Sequence, residues 1–82
     1  MLELREVKMD ELIAILLETL SKEPMTPTKL AEKLKRGLGE IETALRFMWF
    51  KKWVKQDGMT RIVSITTSGL LRLQTLKQNS RH

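Results

Sequence analysis

Apolar residues recur at Met9, Leu12, Ile13, Leu16, Leu17 and Leu20, in steps that keep one side of an α-helix apolar for about three turns. A stripe of that kind must be covered, and the rest of the chain has to supply the cover. With 82 residues there is room for one core. The chain has no Cys, so no disulfide framework can stand in for it. Hydrophobic residues make up 41% of the sequence, which is too apolar for a disordered tail. One folded domain over residues 1–82 follows, with 1–8 as an amino-terminal arm and 78–82 as a frayed tail.

The stripe predicts a first helix over 9–20, with Asp10 as a plausible N-cap and Ser21-Lys22-Glu23-Pro24 as its stop, because the residue before a proline is pushed out of the helical region. Met1 to Val7 reads two ways. Leu2 and Leu4 alternate as in a strand, while Val7 would extend the helical stripe. Thr26 can cap a short second helix with Pro27 at its first position, and Leu30, Ala31 and Leu34 form the buried side. Lys35-Arg36-Gly37-Leu38-Gly39 breaks that helix. A third begins near Gly39 or Glu40 and ends near Lys51. Its spacing turns Ile41, Ala44, Leu45, Met48 and Trp49 toward the core and leaves Thr43, Arg46, Phe47 and Phe50 outside.

Trp53 to Gln56 and Met59 to Ile65 read as two strands around the hairpin signal Asp57-Gly58. Val63 and Ile65 share the face toward the core, and Arg61 lies near the tip in solvent. A final helix starts after Thr66 or Thr67, carries Leu70, Leu71, Leu73 and Leu76, and frays into the last residues.

Charge divides the chain. Residues 1–45 hold 7 Lys or Arg against 9 Asp or Glu, a net −2, whereas residues 46–82 hold 8 against 1, a net +7. An anionic partner would be drawn to the second half. The longest apolar run, Leu12 to Leu17, is far short of the roughly 20 residues that span a bilayer. The acidic start lacks the pattern of a signal peptide. A soluble cytoplasmic protein is expected, with no membrane association.

Catalysis is not expected. The single His is His82, the last residue, so Ser21, Ser64, Ser68 and Ser80 have no internal base to activate them. Gly37-Leu38-Gly39 is the one Gly-x-Gly, and it falls in a turn. Glu40 and Glu42, two apart on a helix, diverge. No cofactor or metal is expected.

The order helix, short helix, tight turn, helix, basic hairpin, helix resembles the winged helix-turn-helix domain, an α+β fold that is mostly α: a three-helix core, a two-stranded wing and a carboxyl-terminal helix. Thr26-Pro-Thr-Lys-Leu-Ala-Glu-Lys-Leu is similar to the opening of the helix-turn-helix in the MarR, ArsR and PadR groups of regulators. Ile65-Thr66-Thr67-Ser68-Gly69-Leu70-Leu71 resembles their strand-to-helix junction. The resemblance covers roughly residues 9–77. Two departures stand out: Lys52 occupies the place where those groups carry Gly before the wing, and Glu40 and Glu42 open the recognition helix.

The resemblance implies sequence-specific binding of double-stranded DNA by a small, dimeric transcriptional regulator. On that reading Thr43 and Arg46 read base edges, Thr28, Lys29, Lys35 and Arg36 position the backbone, and Lys55 and Arg61 reach flanking phosphate or the minor groove. The alternative is a protein-interaction module of a larger assembly. Trp49 and Trp53 are expected in the core. Phe47 and Phe50 project outward, so a partner surface or the amino-terminal arm should cover them. Leu70 and Leu73 are expected in a partner interface, because the first and last helices offer more apolar surface than a core this small needs.

Overall fold

The computed structural model describes residues 2–79. Four helices and one hairpin follow in the order α1 (Leu2–Lys22), α2 (Pro27–Leu34), α3 (Leu38–Phe50), β1 (Val54–Gln56), β2 (Val63–Ile65) and α4 (Thr67–Asn79). The result is a small α+β fold, mostly helical. Its core gathers Leu12, Ile13, Leu16, Leu17 and Leu20 of α1 around Leu30, Ile41, Ala44, Leu45, Met48, Val54, Val63 and Leu73.

The first helix begins at Leu2 rather than near Met9, which settles the helical reading for residues 2–7. No Gly or Pro interrupts Leu2 to Met9, so nothing stops the helix from running on. Asp10 therefore lies inside α1 and caps nothing. At the other end, Glu18 holds Lys22 at 4.0 Å and Lys77 of α4 at 3.2 Å.

Thr26 and Pro27 open α2 as their chemistry requires. Thr26 is extended, its hydroxyl accepts from the Lys29 N–H at 3.2 Å, and Pro27 takes the first turn. Just before it, Met25 exchanges both backbone hydrogen bonds with Val63 of β2, N–H to carbonyl at 3.1 and 2.7 Å. The hairpin is thus tied to the link between α1 and α2.

β1 and β2 run antiparallel, with Val54 opposite Ile65, Lys55 opposite Ser64 and Gln56 opposite Val63. The connection differs from the two-residue turn that Asp57-Gly58 suggests, and Met59 to Ile62 do not join the strand. Asp57 N–H donates to the Ile62 carbonyl at 3.0 Å, and the Asp57 carboxylate accepts from the N–H groups of Met59 and Thr60 and from the Thr60 hydroxyl. That carboxylate wraps the chain into a wider loop, which leaves Met59 94% exposed. As expected, Val63 is buried, while Ile65 is half-buried.

The Thr66 hydroxyl joins three elements. It donates to the Lys52 carbonyl at 2.7 Å and accepts from the Gly69 N–H at 3.1 Å, capping α4, while the Thr66 N–H donates to the Trp53 carbonyl at 2.9 Å. Gly69 is buried against this junction, where a Cβ would collide with the Trp53 carbonyl oxygen and Ile65 Cγ1. α4 runs to Asn79, and Ser80 to His82, the rest of the expected tail, lie outside the described residues.

Candidate nucleic-acid interface

The third helix sets the surface. Ile41, Ala44, Leu45 and Met48 of α3 are buried, so the opposite side, with Thr43 and Arg46, faces solvent. The Thr43 hydroxyl donates back to the Gly39 carbonyl at 2.9 Å. That bond leaves its lone pairs and methyl group outward.

Arg46 lines a groove of about 420 Å³ between α3 and the hairpin, together with Pro27, Glu42, Trp49, Gln56 and Arg61. The loop brings Arg61 across to α3, where its guanidinium lies 3.9 Å from the Glu42 carboxylate, both groups being largely exposed. A pair in that setting is screened by water and holds the hairpin only weakly. Arg46 and Arg61, 15 positions apart in the chain, therefore share one wall-to-wall groove.

Other expected contacts are dispersed. Thr28 and Lys29 are exposed in the first turn of α2. Arg36 is committed to Glu40, with its guanidinium 3.1 Å from the carboxylate, so part of the turn's charge is offset by the helix it precedes. Lys55 is exposed on β1 but alternates away from Val54 and Gln56, which line the groove. It does not join Arg46 and Arg61 there.

Among the described residues, three that are not glycine take left-handed backbone: Lys35 (φ 57°), Lys52 (φ 67°) and Arg61 (φ 64°). At the end of α2, Lys35 N–H donates to Glu32 and Arg36 N–H to Ala31; at the end of α3, Lys52 N–H donates to Trp49 and Trp53 N–H to Met48. Both helices thus close with the same paired bonds that recover orphan carbonyls, a geometry glycine ordinarily serves. A Cβ in that conformation costs about 1 to 2 kcal/mol. A cation near a helix carboxyl end returns about 0.3 to 1 kcal/mol at most such sites.

The aromatic cluster departs from expectation at Trp49, which is 61% exposed rather than in the core. It lies about 80° from Ile41 around the helix, at the margin of the buried stripe, and Leu45 and Met48 already fill the centre. Trp53 is half-buried, with the Arg72 guanidinium 5.2 Å from its ring centroid and Phe47 edge-on at 6.0 Å. Phe47 also carries the Lys51 ammonium at 5.5 Å. Phe50 is 74% exposed. On α4, Leu70 and Leu71 face solvent, whereas Leu73, expected in a partner interface, is 7% exposed and belongs to the core beside α1. The periodicity of a helix, about 3.6 residues per turn, cannot by itself say which leucine of a cluster faces inward.

Trp49 and Lys52 are residues that sequence reasoning did not place on the exposed surface. For Lys52 a signal existed, its position between a helix and a strand where a reversal is needed. For Trp49 none did, because a marginal position can turn either way.

Among the described residues, no group of three or more His, Asp or Glu is placed to hold a metal, and no helix is long and apolar enough to cross a membrane. Comparison with protein families, with curated proteins and with solved structures finds no match.

Proposed function

We propose that this chain is a winged helix-turn-helix protein that binds double-stranded DNA as a small transcriptional regulator. The observation that carries the reading is the groove shared by α3 and the hairpin, where Arg46 and Arg61 line the same side of the molecule. α3 enters the major groove, with Thr43 and Arg46 toward base edges. The hairpin acts as the wing, with Arg61 on adjacent phosphate, and Thr28 and Lys29 contact the backbone beside α2. Two copies meet through Leu70 and Leu71 of α4, which a lone chain leaves wet.

The test is a fluorescence-anisotropy titration against a mixed-sequence duplex at two salt concentrations. Affinity should fall at least about tenfold from low to moderate salt, as expected when a few phosphate contacts release counterions. Absence of binding at low salt would end this reading.

One observation favours a second function. Trp49 and Phe50 stand exposed on the same helix that would enter DNA, and its first two turns carry Glu40 and Glu42. Carboxylates repel phosphate, and desolvated aromatic side chains anchor protein interfaces. On this alternative α3 binds another protein, and DNA is not its ligand.

A further inference from the structure

We propose that Lys35 and Lys52 are phosphate contacts bracketing α3, held in left-handed positions at a cost in stability because their charge is needed there. This rests on the DNA-binding reading. Each lysine closes a helix at a position where glycine would be free of strain: Lys35 at φ 57° ends α2, and Lys52 at φ 67° follows α3. Strain retained at an exposed position is expected where the side chain has a task.

Three local explanations fall short. Neither lysine makes an ion pair or a side-chain hydrogen bond among the described residues, unlike Arg61, whose charge meets Glu42. Neither buries its side chain, since both are exposed. Nor is either required to balance a helix dipole. Lys33 already lies in the last turn of α2, and Lys51 caps α3 with ordinary right-handed backbone. What remains is position. The two lysines sit just beyond opposite ends of α3, whose 13 residues span about 20 Å. A helix laid in the major groove, about 12 Å wide, has a phosphate strand along either side of it. Cations at both ends of such a helix can each meet a strand, whatever the base sequence.

Two substitutions per site separate charge from strain. Lys35→Gly and Lys52→Gly remove charge and strain together; Lys35→Gln and Lys52→Gln remove charge alone. Each is compared with Lys22→Gln, which takes the same charge from the last turn of α1. Thermal unfolding and duplex anisotropy are read on the intact chain.

The glycine variants should raise Tm by about 4 °C or more, while the glutamine variants should not. Both kinds should bind the duplex about fivefold or more weakly at moderate salt, with a salt slope shallower by about one contact. Lys22→Gln should bind within about twofold of the parent chain, too small a change for a lost phosphate contact. Parental affinity in the glycine variants, an unchanged Tm in them, or an equal loss in Lys22→Gln would each overturn the inference while leaving DNA binding in place. Failure of the parent chain to bind at low salt would remove the DNA reading itself, and this inference with it.

Discussion

Replacing Gly69 by alanine should destabilise the protein, although helix propensity alone points the other way. Alanine inside a helix is worth up to about 1 kcal/mol over glycine. Here the added methyl has no space, because it meets the Trp53 carbonyl oxygen and Ile65 Cγ1. The first obstacle is backbone and cannot rotate aside, so the start of α4 must move off β1. Overpacking of this kind costs about 1 to 3 kcal/mol. The movement also stretches the bonds from the Thr66 N–H to Trp53 and from the Thr66 hydroxyl to Lys52. Each is worth about 0.5 to 1.5 kcal/mol. Set against the propensity gain, the net loss is about 1 to 5 kcal/mol, or a fall in Tm of about 4 to 40 °C for a domain this size. Gly39→Ala supplies the contrast. A Cβ there meets nothing within 4 Å, so the same substitution in α3 should leave Tm unchanged or raise it by a few degrees. Circular dichroism melts of both variants decide the matter. A Gly69→Ala melt at or above the parent's would refute the close approach of α4 to β1.

Arg46→Ala should weaken binding to one duplex sequence by about 1 to 3 kcal/mol while sparing others, whereas Arg61→Ala should weaken all sequences alike; competition titrations with single-base variants distinguish the two. Trp49→Ala with Phe50→Ala removes exposed rings and should leave Tm within a few degrees of the parent. If pull-down of a partner is lost in that pair while duplex affinity is kept, α3 serves protein binding instead. The Thr60 N–H and hydroxyl, followed by the Met59 N–H, hold the Asp57 carboxyl below the ordinary aspartate value. Because the folded value is the depressed one, the loop's contribution to stability is complete above the ordinary value and is lost as pH falls through the lower one. A nuclear magnetic resonance titration of Asp57 with a midpoint at or above about 3.9 would contradict that loop geometry.

Periodicity made much of the fold readable. The steps of three and four in α1 and α3, the Thr26-Pro27 opening of α2 and the leucines of α4 are local patterns, and each dictates a helix wherever the core lies. The same local reasoning also located the hairpin and put Arg46 on an exposed helix face. Tertiary structure decided what depends on two segments at once. The Met25 to Val63 pairing joins residues 38 positions apart and has no sequence pattern, because a single bridge needs no run of strand residues. Trp49 sits at the margin of its stripe, so its exposure was set by how fully Leu45 and Met48 filled the core. Leu73 was drawn inward by α1, and Leu70 and Leu71 were left outside for the same reason. The left-handed turn at Lys52 arises because α3 must end and reverse so that Thr66 can bond its carbonyl. Arg46 and Arg61 share a groove only because Asp57 folds the hairpin loop back toward α3. Side-chain spacing along one element is a local property; the meeting of side chains from different elements is settled only when the core packs.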